Sequence, residues 1–144
     1  MIENVETEEY RLKEYGRCSE CNEIKKSYYW CNTCHFQKAF STWTSGNKEI
    51  DYFIQNTQIY AWDKWLTVEW YSWKLFSEIK KIGQGGYGTV FRAKCERGII
   101  NRWDYKNNQW ERFSGNNYVA LKTIGYSESL SKDFLNEVIY SFID

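Results

Sequence analysis

The chain has 144 residues, and its 19 basic and 19 acidic side chains give a formal net charge of zero. A balanced charge argues against nucleic-acid binding, which usually requires a basic surface. Eight Trp, twelve Tyr and eight Phe supply ample apolar area for a core, while the absence of proline makes domain boundaries hard to read.

Residues 1–15 form a charged lead-in, in which Val5, Leu12 and Tyr15 are too scattered to define a buried face. We expect a frayed helix or a disordered segment there. Its acidic start is not that of a signal peptide. Because no uncharged apolar stretch approaches the roughly 18 residues of a membrane span, we expect an intracellular, cytoplasmic protein.

Residues 16–40 contain two Cys-x2-Cys pairs, formed by Cys18, Cys21, Cys31 and Cys34. Each pair can make a tight turn whose thiolates converge on one tetrahedral ion. In a cytosolic chain this spacing favours zinc over disulfides or free thiols. Four thiolates leave no open coordination position, so the expected role of the ion is structural.

Other side chains near these pairs have alternative interpretations. His35 could replace a thiolate as a ligand, but a surface histidine beside the turn is the more ordinary interpretation. Tyr28, Tyr29 and Trp30 could stack on bases or a peptide, although packing a small module is favoured. The fifth cysteine, Cys95, is expected to be a strand residue without chemistry.

Residues 41–75 form a Trp-rich connector with a helical pattern. Its apolar face recurs at helical spacing through Ile50, Phe53, Ile54 and Thr57. Ser45 or Asn47 can cap this helix, and a further turn or two is predicted at residues 62–65. The aromatic residues favour a docking surface for a protein partner over a ligand site.

Residues 76–144 predict an antiparallel sheet with one helix, so the expected fold class is α+β. The predicted strands are residues 76–83, 89–95 and 118–124. Ser129 or Ser131 can cap the helix, whose apolar side chains are Phe134, Leu135, Val138, Ile139 and Phe142.

A hairpin is predicted between the second and third of these strands. Two strand-like segments, residues 99–103 and 109–113, flank Asn107 and Asn108, which tolerate left-handed dihedral angles. A tight turn at these asparagines would make Tyr105 and Trp110 cross-strand neighbours.

Three glycines, Gly83, Gly85 and Gly88, precede Val90 in a G-x-G-x-x-G-x-V pattern. A backbone without Cβ atoms can bring its N–H groups close to an anion. Glycine loops of dinucleotide-binding folds lead into a helix, whereas residues 89–91 here favour a strand. A glycine-rich hairpin turn without a ligand is the alternative.

These glycines, with Lys122 in Val-Ala-Leu-Lys and Glu137 on a predicted helix, resemble the N-terminal lobe of a protein kinase. The resemblance covers about residues 76–144 and is to the serine/threonine or tyrosine-kinase-like group. The connector is also similar to that of a kinase family in which a Cys-x2-Cys module precedes the lobe. The matching residues are Ser45–Asn47, Ile50–Asp51, Phe53–Gln55 and Glu69–Trp70.

The resemblance implies a transferase that uses ATP and magnesium to phosphorylate a protein substrate. Lys122 would contact the α- and β-phosphates, and Glu137 would hold Lys122 in position. The implied ATP-binding residues are Ile82, Gly83, Gln84, Gly85, Gly86, Tyr87, Gly88, Val90, Ala120 and Lys122.

No His-Arg-Asp or Asp-Phe-Gly motif follows Glu137 within these 144 residues. The catalytic base and magnesium ligands of a kinase are therefore missing, and we expect the chain alone to be an inactive N-terminal portion. The alternative is a non-enzymatic interaction protein, in which the zinc module and the connector bind a partner beside a vestigial lobe.

Overall fold

The computed structural model describes residues 7–62, 66–85, 88–113 and 118–123. Several predicted features lie outside these ranges: Gly86, Tyr87, the turn at 63–65, Ile124 and the C-terminal helix with Glu137.

The chain begins its described part with helix α1, Glu8–Tyr15. Thr7 caps the helix, because its hydroxyl oxygen accepts a hydrogen bond from the Tyr10 N–H at 3.2 Å. Two acidic residues in the first turn complement the positive end of the helix dipole. Gly16 ends the helix with a φ of 68°. The helical interpretation of the lead-in is therefore correct for residues 8–15.

The predicted connector helix is present as α2, Lys48–Tyr60. Asn47, rather than Ser45, is its N-cap, and the Asn47 side chain accepts hydrogen bonds from the next backbone N–H groups at Glu49 and Ile50. Ile54 and Gln58 are buried on its inner face. The helix packs against the segment Asn32–Phe36, a single wide helical turn that includes Cys34.

Five strands follow in the described part of the chain. They are β1 (Phe76–Gly85), β2 (Gly88–Cys95), β3 (Ile100–Asp104), β4 (Gln109–Arg112) and β5 (Tyr118–Lys122). The strands β1, β2 and β5 form an antiparallel sheet in the order β1-β2-β5, and β3 pairs with β4 alone. The α+β class and the small antiparallel sheet are confirmed.

The β3–β4 hairpin has a different register from the predicted one. Trp110 faces Trp103, whereas Tyr105 lies in the turn. The prediction was wrong because the Asp104 carboxylate accepts hydrogen bonds from the N–H groups of Lys106 and Asn107. These bonds build a four-residue turn, in which only Asn108 has a positive φ, 53°.

The largest aromatic cluster joins the hairpin to the cysteine-containing module. Trp30, Phe36 and Ile100 are buried together, and Phe40, Trp103 and Trp110 pack around them. Trp30 is fully buried and therefore packs the module, as expected, whereas Tyr28 and Tyr29 are exposed. Cys95 is buried at the end of β2. Among the described residues, no helix is both long and apolar enough to cross a membrane.

Candidate functional site

The four predicted cysteines meet at one point. The Sγ atoms of Cys18 and Cys34 are 3.6 Å apart, as are those of Cys21 and Cys31. All four lie within 4.8 Å of one another. Thiolates bound at about 2.3 Å to a tetrahedral zinc ion would stand about 3.8 Å apart. All five cysteines of the chain are free thiols. The cluster could therefore hold a metal ion.

The thiols differ in how easily they ionise. Burial acts to raise the pKa of Cys18, but hydrogen bonds from the backbone at Cys21 and Glu20 outweigh it and lower the pKa to about 7. Burial raises the pKa of Cys31 and of Cys34. A bound divalent cation would favour the thiolate form at every position and release these protons.

His35 is buried, so the expected surface position is wrong. Its Nδ1 accepts a hydrogen bond from the Cys31 N–H at 2.9 Å, and its Nε2 lies 3.0 Å from the Glu20 carboxylate. Because Nδ1 is the acceptor, Nε2 carries the hydrogen and donates it to Glu20. Both ring nitrogens are thus engaged in hydrogen bonds, and the His35 ring also lies near enough to Glu20 and Cys34 for these three residues to form a second group that could hold a metal ion.

Glu20 lies between Cys18 and Cys21, and the sequence analysis did not single it out. Its carboxylate accepts hydrogen bonds from His35 and from the Trp103 indole N–H, the latter at 3.2 Å. Lys38 is 3.6 Å away. Although burial opposes it, the hydrogen bonds from Trp103 and His35, together with the nearby Lys38 charge, lower the pKa of Glu20. The sequence signal was its place inside a Cys-x2-Cys turn, and in the structure its carboxylate lies 3.7 Å from the Cys34 Sγ atom.

Asn32 directly follows Cys31 in the second Cys-x2-Cys turn, and its local sequence does not mark it as a site residue either. The buried Asn32 amide donates to the carbonyl oxygens of Gln58 and Ala61, at 2.7 and 2.8 Å. Lys26 donates to the Ile59 carbonyl at 2.9 Å. These bonds satisfy carbonyl groups at the C-terminus of α2 that have no partner within the helix.

The second group of predicted site residues lies on the β1-β2-β5 sheet. Val90 is opposite Lys122, and Arg92 is opposite Ala120. Residues directly opposite in an antiparallel pair point to the same face, as do residues two apart on a strand. Val90, Ala120 and Lys122 therefore share one face of the sheet. Gly83 of β1 is opposite Val90.

The glycines of the loop are not equivalent. A Cβ at Gly88 would lie 1.8 Å from the Thr123 carbonyl oxygen, and the φ of Gly88 is +126°. The fold itself therefore requires glycine at position 88. At Gly83 and Gly85 an added Cβ would meet nothing within 4 Å. Packing does not explain those two glycines.

The remaining predicted nucleotide contacts are exposed or outside the described residues. Ile82 is 59% exposed on β1, and Gln84 accepts a hydrogen bond from Lys81 at 2.7 Å. The structure does not describe Gly86, Tyr87 or Glu137, so the pairing of Lys122 with Glu137 stays a prediction.

The connector leaves large aromatic side chains exposed. They are Tyr52, Tyr60, Trp62, Trp70 and Trp73. Partner docking at this surface stays a prediction.

Compared with protein-family models, with curated proteins and with solved structures, the chain shows no significant match.

Proposed function

We propose that residues 76–144 are the nucleotide-binding part of a protein-kinase N-terminal lobe, which holds the phosphates of ATP. The observation that supports this most is the strand register. It brings Val90, Ala120 and Lys122 to one face of the sheet, next to a loop that joins two antiparallel strands. A kinase requires the glycine loop and the phosphate-binding lysine in this relation.

Each predicted site residue has a role in the proposal; the register places Val90, Ala120 and Lys122 on one face, and Ile82 lies at the irregularity between Lys81 and Gly83 of β1. Val90, Ala120 and the exposed Ile82 offer an apolar surface to the adenine, and the Lys122 ammonium offers a positive charge to the α- and β-phosphates. Open space over Gly83 and Gly85 lets the phosphates approach the backbone N–H groups. Glu137 would orient Lys122. In a complete kinase, magnesium would neutralise the phosphate charge.

Calorimetric titration of the chain with ATP tests this proposal. We expect weak binding, with a Kd of about 1 mM or higher, because a kinase site needs a second lobe and magnesium ligands that these 144 residues lack. Lys122→Ala should abolish the binding. Lys94→Ala is the matched control, since Lys94 lies on the same face four residues along β2 from Val90.

Equal ATP binding by the wild type and by Lys122→Ala would overturn the proposal. We expect no phosphate transfer to a protein substrate by these 144 residues, because they contain no catalytic-loop aspartate.

We also propose that the four-cysteine cluster holds one structural zinc ion. The sulfur separations suit a tetrahedral ion, and four thiolates leave no position for water or substrate. Elemental analysis should find about one zinc per chain, as a single four-ligand site requires. Cys34→Ser should lose zinc, and Cys95→Ser, at the cysteine outside the cluster, should retain it.

A further inference from the structure

We propose that the metal-bound cysteine module is an intramolecular clamp, which holds the C-terminus of α2 on one side and the β3–β4 hairpin on the other. The module is defined here as residues 16–40. The inference rests on the proposed zinc site and is independent of the proposed ATP site.

The first arm of the clamp is Glu20, in the turn between Cys18 and Cys21. Its carboxylate binds the Trp103 indole N–H of the hairpin. The ring of His35, which Glu20 also binds, stacks on Trp103 with centroids 4.2 Å apart. The Trp103 backbone N–H donates to the Tyr29 carbonyl at 2.8 Å. The hairpin thus contacts the module through a polar side chain, a ring stack and the backbone.

The second arm is Asn32, in the turn between Cys31 and Cys34. Its amide binds two carbonyl oxygens, of Gln58 and Ala61, at the end of α2. Each Cys-x2-Cys turn therefore places one polar side chain against a different element: Glu20, which also contacts the Cys34 thiol at 3.7 Å, binds the hairpin, and Asn32 binds the end of α2. The hairpin and the end of α2 are therefore both bound by the turns that form one candidate metal site.

Metal binding controls both arms because it fixes the two turns relative to each other. Without an ion, the four thiols have only weak contacts to hold the turns together. The binding free energy of a structural zinc ion is largely free energy of folding for the segment that binds it. Loss of the ion should therefore move Glu20 and Asn32 together and release both elements.

In chain order, the hairpin lies between two strands of the β1-β2-β5 sheet. It is inserted between β2, which follows the glycine loop, and β5, which carries Lys122. At its base, the Phe113 N–H donates to the Ile99 carbonyl at 2.9 Å.

Hydrogen–deuterium exchange of the whole chain, with zinc and after chelation, tests the clamp. Chelation should speed exchange in peptides covering residues 100–112 and 55–61, and leave peptides of β1 and β2 unchanged. Glu20→Gln should speed exchange in the hairpin alone by about tenfold, as expected for one lost charge-assisted hydrogen bond, with unchanged zinc content. Asn32→Ala should affect only residues 55–61.

Glu23→Gln is the matched control, because Glu23 has the same side chain and lies three residues away, outside the Cys-x2-Cys turn. Equal hairpin exchange in Glu20→Gln and Glu23→Gln would overturn the clamp, as would unchanged hairpin exchange after chelation. Loss of protection throughout β1 and β2 would indicate global unfolding and would also overturn it. A chain that binds no zinc would refute the metal site and the clamp together, whereas bound zinc with an unaffected hairpin refutes the clamp alone.

Discussion

At the scale of single residues, Glu69 and Arg112 form an ion pair that the sequence does not predict. The side chains are 12% and 14% exposed, and two guanidinium nitrogens reach the two carboxylate oxygens at 3.1 and 2.8 Å. Arg112 and the Tyr71 hydroxyl also donate to the Gly98 carbonyl. Burial, together with the Glu69 charge, raises the pKa of Tyr71, so its phenol remains a neutral donor. This network joins the connector to the base of the hairpin.

We predict that Arg112→Ala lowers the free energy of unfolding by about 3 kcal/mol, because it leaves a buried carboxylate without its partner. The double variant Glu69→Gln/Arg112→Met should recover part of this loss, since it removes both charges. Arg102→Ala is the control: Arg102 also pairs with a glutamate, Glu111, but both side chains are exposed. Urea denaturation measures all three, and equal effects of the two arginine substitutions would contradict the prediction.

The sequence predicts the four cysteines because their spacing alone indicates the chemistry. Glu20 and Asn32 could not be predicted, because their partners lie 83 residues away at Trp103 and 26 residues away at Gln58. Spacing identifies residues that act on one ion. It does not identify those that join distant segments, since many polar residues have the same local pattern.

At the scale of elements, the start of α2 shows how a short motif builds a helix cap. Asn47 caps the helix, and Asp51 in its first turn reaches back to the Ser45 N–H at 2.8 Å and to the hydroxyl groups of Thr44 and Ser45. Gly46 has a φ of 87°, which lets the chain turn between these groups. The sequence predicts this cap because all its partners are local.

The Asp51 carboxylate predicts a pH dependence. Hydrogen bonds from Ser45, Thr44 and the Ser45 backbone lower the pKa of Asp51. A depressed pKa in the folded state stabilises the fold above the ordinary value of about 3.9, and this contribution is lost as the pH falls through the folded-state pKa. Thermal unfolding from pH 7 to pH 2 should therefore show a smaller decrease in Tm for Asp51→Asn than for the wild type. Glu49→Gln, also in the first turn, is the control for the loss of a negative charge at the start of the helix.

The hairpin shows where prediction from an element's own sequence fails. Its two strands could be predicted from their composition, but the turn length depends on whether the Asp104 side chain binds the backbone of residues 106 and 107. A single side-chain preference of this kind shifts every cross-strand pair beyond it, including that of Trp110.

At the scale of the whole molecule, the aromatic core crosses the boundary suggested by the sequence. Trp110, in the segment that resembles a kinase lobe, lies 5.9 Å from the Trp30 ring and 4.7 Å from the Phe36 ring. In contrast, among the described residues of β1, β2 and β5, only Ala93 and Cys95 are buried. The α+β class could be predicted from local patterns. The packing of the hairpin on the cysteine module could not be predicted. The hydrophobic effect is non-directional, so it does not specify which aromatic residues pack together.

Linkage predicts that Trp110 affects metal binding although it is not a ligand. If zinc stabilises the docked hairpin, then the docked hairpin must stabilise bound zinc by the same free energy. Trp110→Ala removes a partly buried ring that contacts Trp30, Phe36 and Trp103. If these contacts are coupled to the metal site, their loss should weaken zinc binding by about tenfold. Trp73→Ala is the control, since Trp73 is 64% exposed on the connector.

Competition with a chromophoric zinc chelator measures the affinity, and circular dichroism checks that each variant is folded. A folded Trp110→Ala chain with wild-type zinc affinity would show that the hairpin and the metal site are energetically independent, despite their contact.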